Sequence, residues 1–348
     1  LLDALLRLDY PSAKTEIVIV EDGSGDGTVE ICREYVRRCP DRITLVRRSA
    51  SDGKPSALNC GLAHVRGQIV AVFDADSLPE VDVLTKVAEY FADDKVACVQ
   101  GRTRLINAEE NMLTRIVSCE EDVRHGVYLQ GKDTLDLFVP ITGTCYFIRK
   151  DALTAVDGWD SRVLSEDVDM AAKLVEQGYQ TRLASDVVSW QESPSDLPGF
   201  VKQRLRWFRG CMEISLRYGR LLVSTPSMKS VDAEMTLLAP YLLPLSLASY
   251  FLSVYVLVGA IQLDAVSMIV VHGVSVLSLV SLFAIGLTLA LTVRPRKPSN
   301  ALWIPFVYGY WCLLILVTLF ALVQMVLRRP KTWAKTGKSG VITNTTFE

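Results

Sequence analysis

Between Glu16 and Glu21 the chain reads EIVIVE, a short β-branched stretch followed by Asp22-Gly23-Ser24-Gly25-Asp26-Gly27, and from Thr28 to Arg38 apolar positions return at helical spacing. This predicts a strand, a glycine-rich turn and a helix. The alternation recurs: Ile43 to Arg47 reads as strand, Pro55 to Val65 as helix, Gln68 to Phe73 as strand, Glu80 to Phe91 as helix and Val96 to Arg104 as strand. Strands alternating with helices predict an α/β domain with a mainly parallel sheet and flanking helices, and place ligands at the carboxyl ends of the strands. Further on, Phe138 to Arg149 reads as strand, Gly158-Trp159-Asp160 as a turn, Glu166 to Gln177 as helix and Gln180 to Trp190 as strand. Leu1 to Leu8 reads as the apolar face of a helix stopped at Asp9-Tyr10-Pro11.

From Leu197 to Val223 a helix is expected in which Phe200, Leu205, Phe208, Met212, Leu216 and Leu221 are apolar, whereas Lys202, Arg204, Arg206, Arg209, Arg217 and Arg220 are basic. Such a segment suits the membrane interface, and it also suits a surface helix packed on the sheet. Beyond Glu234 come three uncharged runs, Met235 to Leu263, Ala265 to Val293 and Pro298 to Leu327, each longer than the roughly 20 residues that cross a hydrocarbon core. The expected division is therefore a catalytic-type domain at 1–195, interfacial helices at 196–233, transmembrane helices at 234–328 and a basic tail at 329–348. Arg294-Pro295-Arg296-Lys297 and Arg328-Arg329-Pro330-Lys331 both look cytoplasmic by the positive-inside rule, yet three full spans would separate them from one another's side. Either one run is re-entrant or interfacial, or one holds two short passes, with Pro240, Pro244 and Pro305 as places for a break.

Half of the 348 residues are apolar and the net charge is only −2, which gives no reason to expect nucleic acid as a partner. The eight cysteines are scattered without a CxxC and without histidines at metal-ligand spacing, so they read as reduced and structural.

Five short segments carry candidate chemistry. Asp74 and Asp76 close the strand ending at Phe73, and side chains two apart on an extended segment face one way, so both carboxylates suit one hard cation bridging a diphosphate. Solvated carboxylates at a strand end have the same appearance. Asp22 ends an earlier strand, where it suits the imide N–H of uracil or simply forms the glycine-rich turn. Lys54 stands at a helix start, a place for phosphate or for an ordinary loop. Ser165-Glu166-Asp167 reads either as a helix cap with acidic residues in the first turn or as a general base, Asp167, at a pocket's mouth. Gln203-Arg204-Leu205-Arg206-Trp207 offers guanidinium groups to a diphosphate and an indole to a pyranose, or else an interfacial anchor.

In this order, Asp22, Asp74-Ala75-Asp76, Ser165-Glu166-Asp167 and QRLRW followed by apolar spans resemble the D, DxD, (T/S)ED, QxxRW series of glycosyltransferase family 2, above all the membrane-embedded synthases of cellulose, chitin, hyaluronan and poly-N-acetylglucosamine. The resemblance covers about Leu1 to Arg220. It implies a GT-A fold and an inverting hexosyltransferase using a UDP-sugar and Mg2+ or Mn2+. By position, Asp22, Lys54, Asp74, Gln203 and Arg206 would bind the donor, and Asp74 and Asp76 the metal. Asp167, with Glu166, would be catalytic, and Trp207 would border the acceptor with Gly143, Thr144 and Cys145. The implied partners are a glycan or lipid acceptor, membrane lipids and a small accessory membrane subunit, with a cytoplasmic catalytic domain on a multi-pass cell-membrane protein. The family's opening strand with its P-x-x-N-E segment and its amino-terminal membrane helices have no counterpart here, so the chain is expected to be a piece of a longer protein. QxxRW leans toward polymer synthesis, while glucosylceramide-type enzymes that add one sugar to a lipid carry a similar motif. A transporter or channel with an inactive catalytic domain is a third reading, opposed by the full set of carboxylates.

Overall fold

A computed structural model describes residues 1–219, 227–259, 262–292, 304–330 and 337–343. The first half follows the alternating pattern closely. After a short helix α1 (Leu2–Leu6) come β1 (Ile17–Asp22), α2 (Thr28–Arg38), β2 (Ile43–Arg48), α3 (Lys54–Leu62), β3 (Ile69–Val72), β4 (Leu78–Pro79), α4 (Val83–Tyr90) and β5 (Val96–Leu105). Then follow α5 (Met112–Val123), a π-helical turn at Arg124–Leu129, α6 (Gln130–Thr134), β6 (Tyr146–Arg149), α7 (Lys150–Ala155), α8 (Glu166–Glu176) and β7 (Gln180–Gln191).

The sheet is mixed where a mainly parallel one was expected. β1 and β2 form a parallel pair, and a separate five-stranded sheet has the order β3-β6-β5-β7-β4. β6 lies antiparallel between β3 and β5, β7 runs parallel to β5, and β4 is an antiparallel edge. β5 is central, and Val96, Ala97, Cys98 and Val99 are all buried because helices or loops cover both faces. The longest expected strand, Phe138 to Arg149, is reduced to its last four residues. Its first part is apolar because Phe138, Val139 and Ile141 are buried, not because it pairs as a strand. Gly143 and Cys145 take positive φ of 83° and 52° there, which ends any extended run before Tyr146.

α9 (Leu197–Tyr218) is capped by Asp196, whose Oδ1 accepts from the Gly199 N–H at 2.7 Å. Arg220, Leu221 and Val223, expected at its end, lie outside the described residues. The anticipated basic face is partly interior: Arg204 and Arg209 are buried, because each finds carboxylate or carbonyl partners, while Lys202 and Arg217 are exposed. Three long apolar helices follow, α10 (Met228–Leu257), α11 (Ala265–Thr292) and α12 (Ile304–Val326), each long and apolar enough to cross a membrane. α10 continues through Pro240 and Pro244, and Pro305 lies in the first turn of α12, so among the described residues none of these prolines breaks a helix.

α12 buries one face, Val307, Tyr310, Leu314, Val317 and Ala321, at helical spacing, and packs on α9, where Phe200, Tyr310 and Leu314 share a cluster. At the other end Arg209 donates to the carbonyls of Arg329 and Pro330. The 294–297 basic cluster and Lys331 lie outside the described residues. The tail returns to the catalytic-type domain: Thr343 N–H donates to the Ile106 carbonyl at 3.0 Å and Thr343 Oγ1 accepts from Glu109 N–H at 3.0 Å.

Candidate active site

Asp22 sits at the carboxyl end of β1, where the parallel pairing sets it opposite Arg48. Arg48 Nη1 reaches its Oδ1 at 2.7 Å and Ser51 Oγ donates to Oδ2 at 2.5 Å. A carboxylate has about four acceptor positions, so both bonds leave room for a further N–H donor. Arg48 also holds Asp52 and Ser56, which fastens the loop before α3 to the end of β1.

Lys54, the first residue of α3, joins three parts of the site. Its Nζ lies 2.5 Å from Asp74 Oδ1, 2.7 Å from the Gly143 carbonyl and 3.5 Å from Glu166 Oε1. Burial opposes its charge, but Asp74 and Glu166 outweigh that and hold the ammonium above the usual lysine range. Gly143 in turn lies beside the third carboxylate, with no room for a side chain between them, since a Cβ added to it would stand 3.1 Å from Asp167 Oδ2.

Asp167, in the first turn of α8, is only partly exposed. Burial, reinforced by the charge of Glu166, pushes its carboxyl up to about 7, against the pull of Lys54. Ser165 occupies the N-cap position without a capping hydrogen bond. It abuts α9 instead, where a Cβ at Gly210 would lie 2.0 Å from Ser165 Oγ. The charge of Asp167 also reaches Cys211, whose thiol burial pushes up to about 12. The SED turn and the helix of QRLRW are thus in direct contact.

Within QRLRW, Gln203, Arg206 and Trp207 are half-buried on α9, and the Arg204 guanidinium lies 4.5 Å from the centroid of the Trp207 ring. Two residues grouped with the acceptor site do other work. Cys145 is fully buried and packs its Sγ on Gly101 in the core, so its side chain does not line the cleft. Thr144 is also buried, its Oγ1 accepting from Asp74 N–H at 3.0 Å and lying 2.8 Å from Ser77 Oγ, which braces the DxD loop. Of the three, Gly143 meets Lys54 and lies beside Asp167, and Thr144 meets Asp74, whereas Cys145 faces the core.

Sequence reasoning passed over several residues of this assembly. Gln100, a fully buried polar side chain of β5, accepts from Thr142 N–H at 2.8 Å and donates to the Gly101 and Thr144 carbonyls. It fixes the 142–145 loop, and its polarity inside an apolar run was the available signal. Asn59 bonds both backbone groups of Trp159, at 3.0 and 2.7 Å, and anchors the turn before the SED segment to α3. Lys338 of the tail lies 2.7 Å from Asp76 Oδ2, a pairing without any local signal.

Asp74 and Asp76 are each about one-third exposed at the side chain and offer hard oxygen donors, one oxygen of each being paired, with Lys54 and Lys338 respectively. Among the described residues no three His, Cys, Asp or Glu side chains converge as a metal cage. Two carboxylates still fit Mg2+ or Mn2+, because such ions are held by one or two carboxylates together with substrate phosphates and water.

The family model described as "Glycosyltransferase like family 2" matches residues 1–210. The chain belongs to glycosyltransferase family 2. It is 31% identical over 245 residues to the beta-monoglucosyldiacylglycerol synthase of Trichormus variabilis, covering 69% of this chain and 52% of that protein. It is 30% identical over 217 residues to the poly-beta-1,6-N-acetyl-D-glucosamine synthase of Staphylococcus epidermidis, covering 62% and 52%. The chain thus spans about half the length of the curated relatives it matches. Among solved structures, the mannosyltransferase PcManGT of Pyrobaculum calidifontis, in complex with GDP-Man and Mn2+, superposes with TM-score 0.63 at 24% identity, over 94% of this chain and 83% of that one. Residues 1–349 of S. aureus TarS in complex with UDP superpose with TM-score 0.52 at 14% identity, over 96% and 89%. The fold is GT-A, followed by the three apolar helices.

Proposed function

We propose that the protein transfers a hexose from a UDP-sugar, with inversion, to a growing β-linked polysaccharide at the cytoplasmic face of the cell membrane, and that the polymer is exported as it grows. The observation that carries the reading is the Lys54 bridge. One ammonium spans Asp74, Glu166 and the Gly143 carbonyl, and the α-carbon of Gly143 lies beside the Asp167 carboxylate, which supports a shared cleft for the donor-side Asp74 and the raised carboxyl.

In this reading Asp22 receives the uracil imide N–H, while Lys54, Gln203 and Arg206 face the diphosphate. A divalent ion on Asp74 and Asp76 would offset charge on the departing diphosphate. Asp167 accepts the proton of an acceptor hydroxyl as its oxygen bonds to the anomeric carbon. The bond from that carbon to the diphosphate oxygen breaks, and UDP leaves with the electron pair. One base and no second nucleophile among the assigned residues give a single displacement, hence a β-linked product from an α-linked donor. Trp207 is the platform under the acceptor sugar.

A second reading, addition of one sugar to a lipid, is favoured by the similarity to the monoglucosyldiacylglycerol synthase, which extends over more of this chain than that to the polymer synthase. Incubating the full-length protein in membranes with UDP-glucose or UDP-N-acetylglucosamine and Mg2+ or Mn2+, then sizing the product, separates them. A polymer supports the first reading and a single glycolipid replaces it. Full turnover in EDTA, or in Asp76→Asn, contradicts the metal role, and an α-linked product contradicts inversion.

A further inference from the structure

Arg204 fills the first unspecified position of the QxxRW pattern and is 6% exposed, an expensive place for a guanidinium unless it is well partnered. Its Nη2 lies 2.5 Å from Glu120 Oε2 on α5 and donates to Tyr310 Oη on α12 at 3.3 Å. Tyr310 Oη donates to the same Glu120 Oε2 at 2.6 Å, which closes a three-membered network across α5, α9 and α12. The flat guanidinium also stacks, with its carbon 4.5 Å from the Trp207 ring centroid and 5.2 Å from that of Phe200. Phe200 leans on Tyr310 at 5.5 Å between centroids.

We propose that Arg204 is a positioning residue for the acceptor, holding the Trp207 indole against its guanidinium face and tying that platform to α12 through Glu120 and Tyr310. The inference rests on the reading of Trp207 as the acceptor platform. The partners account for the residue type. A lysine would supply charge to Glu120 but has no planar face to lay against the indole while its donors reach a carboxylate and a phenol. An ion pair that merely fastened α9 to α5 would not need to stack on the one aromatic residue of the motif. Because Tyr310 belongs to an apolar helix, displacement of α12 along α9 would move the platform while leaving Asp22, Asp74 and Asp167 untouched.

The test uses the full-length protein in membrane vesicles. UDP release from UDP-glucose and UDP-N-acetylglucosamine is measured without acceptor and with β-linked tetrasaccharides of glucose or N-acetylglucosamine, or with dioleoylglycerol, at matched protein content. Arg204→Lys should raise the acceptor KM about threefold to thirtyfold, the range of a partly desolvated cation–π contact, with acceptor-free UDP release within about twofold of wild type. Tyr310→Phe keeps the ring packed on Phe200 and removes only the hydroxyl, so it should show the same selective shift even if Arg204 variants fold poorly. Combining Arg204→Lys with Trp207→Ala should lose no more than Trp207→Ala alone. Equal losses with and without acceptor in Arg204→Lys and Tyr310→Phe, or no loss in either, overturn the positioning role. If Trp207→Ala itself loses both activities equally, the platform reading fails first. If it alone is selective, the platform stands and Arg204 is only a fastening.

Discussion

Burial and the charge of Glu166 push the Asp167 carboxyl up to about 7, and an acceptor for a hydroxyl proton has to be ionised to act. Transfer is therefore expected to rise with pH through about 7 and to fall off on the acid side, read as the lower limb of a kcat/KM profile. Asp167→Asn should abolish transfer at every pH while donor binding survives, and retained transfer would remove Asp167 from the base role. The same shift has a stability consequence of definite sign. An unfolded aspartate titrates near about 3.9, so between about 4 and 7 the folded state binds the extra proton and this group's contribution to stability falls as pH rises. At pH 8 the wild type carries a buried carboxylate that the asparagine variant lacks. Thermal unfolding of Asp167→Asn at pH 8 is thus expected at a temperature no lower than wild type, a combination that simple misfolding would not produce.

At the scale of elements, the cleft depends on two close approaches. α9 meets the SED turn at Gly210, where a methyl group would stand 2.0 Å from Ser165 Oγ and 2.9 Å from its Cβ. Gly210→Ala should destabilise the fold by about 1–3 kcal/mol, as overpacking does, and depress transfer by shifting α8 away from α9. Combining it with Ser165→Gly should recover much of the stability, measured by thermal unfolding in detergent; failure to recover would mean the clash lies elsewhere. The second is the bracing of 142–145 by Gln100. Gln100→Leu leaves the Thr142 N–H without its acceptor at a partly buried position, for which about 1–3 kcal/mol of destabilisation is expected. Because the same loop presents the Gly143 carbonyl to Lys54 and Thr144 to Asp74, activity should fall further than stability alone explains.

For the whole molecule, the tail settles on the domain that carries the cleft, through Thr343 on Ile106 and Glu109 and Lys338 on Asp76. A chain that leaves this domain and returns to it crosses a membrane an even number of times. We therefore expect α10 and α11 to cross as a hairpin and α12, which lies along α9 from Phe200 and Tyr310 to Arg209 and Arg329, to stay at the interface. That arrangement puts both basic clusters on the side of the cleft, as the positive-inside rule asks. In right-side-out vesicles of a variant without native cysteines, Gln262→Cys should react with an impermeant maleimide and Thr343→Cys should not until the membrane is opened. Labelling of Thr343→Cys from outside would restore three full crossings.

The sequence alone determined the alternating α/β plan, the presence of three long apolar helices and the order of Asp22, Asp74-Ala75-Asp76, Ser165-Glu166-Asp167 and QRLRW, because periodicity and short motifs are local properties written in neighbouring residues. It over-read Phe138 to Cys145 as strand, since burial makes a segment apolar whether or not it pairs, and it expected a mainly parallel sheet because strand direction is set by which neighbour each strand finds. It also counted Arg204 and Arg209 on the basic face of a helix suited to the membrane interface or the domain surface, as charge pattern carries no information about carboxylates or carbonyls arriving from α5 or the end of α12. Those long-range meetings, Lys54 with Asp74 and Glu166, Gly210 with Ser165, Lys338 with Asp76, were decided only by the tertiary structure. Each joins residues from separate elements, and no spacing along the chain encodes a contact whose existence depends on how the elements pack.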